Sequence, residues 1–139
     1  MSSPRDRVWE WLVRADLWPS WYPNSRSVRV ENPAVSPALV LGTRFRWQTF
    51  GITLDSVVEE CVPEERIAWT ARAPGVDAYH AWLIQPTPTG CHVLTEETQH
   101  GWLAALSHLL MPNRMHAGHQ LWLERLRATA AAGLPPPAS

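Results

Sequence analysis

Residues 43–58 read Thr-Arg-Phe-Arg-Trp-Gln-Thr-Phe-Gly-Ile-Thr-Leu-Asp-Ser-Val-Val. Thr43, Phe45, Trp47 and Thr49 fall on one side of an extended chain, and Arg44, Arg46 and Gln48 on the other. Past Gly51 the alternation resumes, with Ile52, Leu54, Ser56 and Val58 against Thr53, Asp55 and Val57. A period of two is the mark of strands with one face buried. A glycine between two such runs predicts a bend that folds the second back on the first.

The pattern extends in both directions. Downstream, Pro63-Glu64-Glu65 reads as a hairpin turn, followed by Ile67, Trp69 and Ala71 alternating with Arg66, Ala68, Thr70 and Arg72. Pro74-Gly75 breaks the chain, residues 79–85 form a strand, 86–90 a turn and 91–99 a last strand. Upstream, residues 27–31 form a strand and 32–39 a proline-punctuated loop. Six strands with short connections predict an antiparallel meander.

Helical spacing flanks the strands. Ser3 as cap, Pro4 in the first turn and Asp6 three residues past the cap start a helix that carries Val8, Trp9, Leu12 and Val13 inward and ends near Asp16. Residues 16–23, with prolines at 19 and 23, hold at most a turn or two of helix. Residues 102–110 and 113–131 read as helices separated at Met111-Pro112-Asn113. Met115, His119, Trp122 and Leu126 share one stripe of the second. A half-apolar sheet must be covered, and this long helix is the element available. The expected domain spans 3–132, with 133–139 a disordered Pro-rich tail.

Composition narrows the function. The chain has 139 residues, 45% hydrophobic and 18% charged, with a net charge of -1. A domain of this size buries a core without disulfides or metal. The balanced charge argues against nucleic acid as a partner. All 12 cations are arginine, which excludes Schiff-base and P-loop lysine chemistry. No apolar stretch is long enough to span a membrane and no signal peptide is evident. Two isolated cysteines, Cys61 and Cys91, point to reduced thiols and a cytoplasmic setting. The nine tryptophans are the compositional anomaly.

The order helix, short helix, six strands, long helix resembles the helix-grip (START-like, SRPBCC) superfamily, and within it the polyketide cyclase/dehydrase-like branch. The resemblance rests on Pro4-x-x-x-Val8-Trp9-x-x-Leu12, Trp18-Pro19-x-Trp21-x-Pro23, Leu41-Gly42-Thr43-x-Phe45, and Val58-x-Glu60-x-x-Pro63-Glu64-x-Arg66-Ile67-Ala68-Trp69. His80-x-Trp82, Glu96-Glu97 and Gly101 complete it. It implies an α+β fold: a curved antiparallel sheet wrapped around the C-terminal helix, with a cavity between them. Such proteins usually begin with a strand ahead of the first helix. Here only Met1 to Ser3 precede it, so either the sheet has six strands and an open edge or the natural chain starts further upstream.

Inward-facing positions define the candidate cavity: Phe45, Trp47, Leu54, Ser56, Val58, Trp69, Trp82, Ile84, Thr95, Met115, His119 and Trp122. Tryptophans offer wide, rigid faces to a flat ligand, and they equally fill ordinary cores. His80 and Glu97, counted back from the 86–90 turn, face each other across two strands. A slip of one residue would expose Glu97 and turn Glu96 inward. The pair suits acid–base chemistry, or simply satisfies itself in the core. The spacing of His108, His116 and His119 matches no metal motif, so no metal is expected. No cofactor fingerprint is present. Three readings follow: a protein that binds a small hydrophobic, aromatic or polyketide-like molecule; a polyketide cyclase or dehydratase using His80 and Glu97; and a non-catalytic module whose open edge pairs with another protein or a second copy.

Overall fold

In the computed structural model, which describes residues 1–31 and 37–137, the strands follow one another in space as they do in sequence. Helix α1 (Arg5–Val13) leads through a 3-10 turn (Ala15–Leu17) into the short α2 (Trp18–Trp21). Strands β1 (Arg26–Val30), β2 (Arg44–Thr49), β3 (Ile52–Val62), β4 (Arg66–Ala73), β5 (Val76–Thr87) and β6 (Gly90–His100) form one antiparallel sheet among the described residues. Helix α3 (Trp102–Leu110) and the long α4 (Arg114–Ala132) close the chain. The expected loop at 32–39 lies mostly outside the described residues.

The alternation places the core. Phe45, Trp47, Leu54, Val58, Ile67, Trp69, Trp82 and Ile84 are buried on the concave face, where Trp122, Leu126 and Ala130 of α4 meet them. Arg46 and Asp55, register partners on the opposite face, pair at 2.7 Å in solvent. At the centre stands Trp18, fully buried, its ring 5.2–5.7 Å from those of Phe45, Trp47, Trp69 and Trp122. Its indole N–H donates to the Leu12 carbonyl at 3.0 Å. Pro19 holds the turn that presents this ring: it occupies the first turn of α2, where a missing N–H costs nothing.

Several local expectations need correction. Pro4 itself is the cap residue of α1, with no side-chain cap bond, and Ser3 is buried instead. Strand β5 starts at Val76, three residues before the expected start, because its partners on β4 and β6 continue to Ala73 and His100. Residues 133–137 are tied down rather than loose. Trp11 Nε1 donates to the Gly133 carbonyl and Arg14 Nη1 to the Pro136 carbonyl, each at 2.7 Å. A proline-rich segment supplies acceptors but few donors, so it docks where α1 offers donors. On the outer edge of β6, Met1 exchanges two backbone bonds with Cys91, at 2.7 and 2.9 Å.

Candidate functional site

The concave face is filled at one end and open at the other. Beyond the Trp18 cluster lies a cavity of about 300 Å³. Its walls come from β2–β6, its roof from α3 and its side from α4.

Two glycines hang the roof. Gly75 ends the β4–β5 hairpin at φ +79°, and its carbonyl accepts from Leu103 N–H at 3.0 Å and Ala104 N–H at 3.2 Å. The hairpin tip therefore satisfies two donors that the first turn of α3 leaves unpaired. Gly101, at φ +108°, lies so close that a Cβ there would sit 2.4 Å from the Gly75 oxygen. Positive φ and this close approach both require glycine. The apolar surplus of α3 follows: Ala104 is buried and Leu103 half-buried, Leu106 and Leu110 stay exposed on the cavity lining, and Trp102 and Leu109 face solvent.

The floor carries the polar groups. His80 on β5 and Glu97 on β6 are register partners, with Nδ1 and Oε1 3.3 Å apart. His119 on α4 reaches the same Oε1 with Nε2 at 3.4 Å. Glu97 keeps 15% of its side chain accessible, His119 19% and His80 2%. Glu96 points to solvent, so the strand parity is the one expected. Burial pushes His80 down to about 3, against the pull of the Glu97 charge. For Glu97, burial pushes the carboxyl up, but the His119 hydrogen bond and the contacts with His80 and Gln99 outweigh it and hold the group below its usual range. Near neutrality the floor thus presents an ionised carboxylate beside a neutral buried imidazole. Behind His80, its Nε2 lies 2.6 Å from Thr95 Oγ1, which donates to the Ala81 carbonyl at 3.2 Å.

Of the residues read from the sequence as lining, Trp47, Leu54, Trp69, Met115, His119 and Trp122 stand on the cavity wall with His80 and Glu97. Phe45, Ser56, Val58, Trp82 and Ile84 are inward but packed in the core. The filled end, with Trp18 against Phe45, Trp47, Trp69 and Trp122, leaves the opening toward α3. Ser56 instead accepts the Trp47 indole N–H at 3.1 Å. Thr95 sits behind the floor. The wall also holds residues that sequence reasoning passed over. Tyr22 stacks on Trp122 at 4.5 Å. Phe50 turns at φ +49° in the two-residue hairpin before Gly51 and lies under the Arg114 guanidinium at 4.1 Å. The residue pair ending in glycine between two alternating runs was the available signal for that hairpin. Ala71 and Ala78 supply the small side chains that leave room.

The donor atoms of His80, Glu97 and His119 all lie within 4.8 Å of one another. They come from three separate elements, so no linear spacing announces them.

A curved six-stranded antiparallel sheet closed over a C-terminal helix, with a half-open apolar cavity between them, defines the helix-grip fold. The chain belongs to the polyketide cyclase / dehydrase and lipid transport family, whose model matches residues 3–131. Among solved structures it is similar to a hypothetical protein from Helicobacter pylori, 31% identical, with a TM-score of 0.84, covering 93% of this chain and 82% of that one. The di-domain ARO/CYC StfQ of the steffimycin biosynthetic pathway shares the fold at 19% identity and a TM-score of 0.76, covering 94% of this chain and 48% of that one. Norcoclaurine synthase from Thalictrum flavum, in complex with dopamine and hydroxybenzaldehyde, shares it at 11% identity and a TM-score of 0.68, covering 98% and 84%. No curated protein matches the sequence. No helix among the described residues is long and apolar enough to cross a membrane.

Proposed function

We propose that the cavity binds a small, planar, hydrophobic molecule of aromatic or polyketide type. The observation that carries this reading is the wall itself: rings of Tyr22, Trp47, Phe50 and Trp122 line a space of about 300 Å³. Stacking and apolar burial supply affinity, and a few polar groups set orientation. The family, and the two aromatic molecules held by the similarly folded norcoclaurine synthase, support the same class. The free thiols of Cys61 and Cys91 suit a reducing, cytoplasmic compartment.

The floor favours a second reading, a cyclase or dehydratase. Glu97 is ionised, open to the cavity and flanked by two imidazoles. That is the arrangement needed to take a proton from the carbon beside a ketone and return one to a departing oxygen. The open-edge reading is weakened at Cys91, where Met1 already engages both backbone groups.

Native mass spectrometry of the purified protein tests the binding reading. A co-purifying aromatic or polyketide-like compound, released on denaturation, is the expected result. A polar metabolite in its place would overturn it.

A further inference from the structure

The cluster on the cavity floor holds more donor atoms than an acid–base pair requires. We propose that His80 Nδ1, Glu97 Oε1 and His119 Nε2 bind one divalent first-row transition-metal ion, whose remaining coordination positions face the cavity.

The first argument is separation. Metal–ligand bonds of about 2.0–2.2 Å place neighbouring donors roughly 3.0–3.5 Å apart. His80–Glu97 and His119–Glu97 stand at 3.3 and 3.4 Å, with no pair of the three beyond 4.8 Å. His80 and Glu97 are fixed by facing strands. The His119 ring stacks on that of His80 at 4.8 Å and must tilt to bring both nitrogens onto one ion. It is the most exposed of the three and stands on the helix at the cavity side.

The second argument is the outer support. His80 Nε2 lies 2.6 Å from Thr95 Oγ1, which stands 3.2 Å from the Ala81 carbonyl. With an ion bound, Nε2–H would donate to Thr95 and Thr95 to that carbonyl, which leaves Nδ1, 3.3 Å from the Glu97 oxygen, as the ligand atom. A relay of this kind is what fixes the tautomer and orientation of a metal-bound histidine.

The third argument is chemical type. Two imidazoles and one carboxylate suit zinc, iron(II) or cobalt(II), whereas calcium and magnesium prefer all-oxygen sites. One negative ligand leaves the occupied site with a positive charge. That charge would anchor an acceptor oxygen of whatever enters the apolar chamber.

The site is tested without any organic ligand, so its outcome is separate from that of the binding reading. Protein stripped with EDTA is titrated with Co²⁺, following visible absorption, and with Zn²⁺ by calorimetry. The expected result is saturation at one ion per chain. Glu97→Gln should weaken binding by about 100-fold or more, and Thr95→Val, which touches no ion, by about 10–100-fold. His116→Ala, on the exposed face of α4, should leave it unchanged. Circular dichroism checks that each variant folds. Should Glu97→Gln fail to fold, His119→Gln takes its place, since that side chain is less enclosed. Absence of saturable Co²⁺ absorption in the unaltered protein overturns the proposal. So does binding that persists in Glu97→Gln or disappears in His116→Ala, which would assign the ion to surface histidines.

Discussion

The two ends of the concave face are built from the same kinds of residue and come out opposite. At one end Trp18, delivered by the Pro19 turn, meets Phe45, Trp47, Trp69 and Trp122, and the space is filled. At the other end Trp69 and Trp122 also stand, yet Ala71 and Ala78 replace bulk and α3 bridges from Gly75 instead of dropping a side chain in. Tryptophan content does not distinguish core from cavity here. The distinction is whether an element outside the sheet inserts a ring or only spans the gap.

That contrast can be broken at the filled end first. Trp18→Ala removes the central ring and should cost about 3–5 kcal/mol in urea unfolding. Trp122→Ala, which removes a ring shared by both ends, should cost a similar amount. A loss below about 1 kcal/mol for either would show that the core does not depend on it.

Acid should act on the open end. His80 has its pKa depressed from 6.5 to about 3 by burial, so the fold prefers the neutral ring. A depressed histidine contributes stability that is fully present above pH 6.5 and is lost as pH falls toward 3. The groups facing it are Glu97 from β6 and His119 from α4, and Glu97, also held below its usual range, adds loss of the same sign. Metal-free protein should keep a constant urea midpoint from pH 8 to 7 and lose about 2–3 kcal/mol by pH 4.5. A flat profile would show that His80 reaches water.

A smaller effect sharpens the role of the roof. In Gly75→Ala the new Cβ meets the Trp102 ring at 2.7 Å, in backbone that disfavours a side chain. The expected cost is about 1–2 kcal/mol, with protease cleavage rising selectively near α3. Uniform cleavage along the chain would contradict the hinge-like attachment. Smallest of all, Arg46→Ala should leave the urea midpoint unmoved, because its pair with Asp55 lies on the solvent face.

Much of this was legible in the sequence. Period-two alternation placed Phe45, Trp47, Leu54, Val58 and Trp69 on one face, and turn counting set His80 opposite Glu97. Phe45, Val58 and Ile84 illustrate the limit. Alternation says which face a residue takes, but not how far along that face an inserted tryptophan closes the space. The His80–Glu97–His119 grouping was half visible, since helix α4 brings its histidine over two strands only through tertiary packing. The attachment of residues 133–137 was hidden for a similar reason: its donors, Trp11 and Arg14, lie at the far end of the sequence.

The central claim is that the open end is a binding chamber for planar hydrophobic molecules. Tryptophan fluorescence, titrated with a naphthalene- or anthraquinone-type compound, tests it most directly in paired samples of the unaltered protein and Ala78→Trp, where the added ring occupies the cavity wall. The account predicts saturable one-to-one quenching in the unaltered protein, with a dissociation constant in the micromolar range, about 8 kcal/mol of binding. It predicts that this is lost in a folded Ala78→Trp protein. Quenching that never saturates, or that is equal in both proteins, would contradict it.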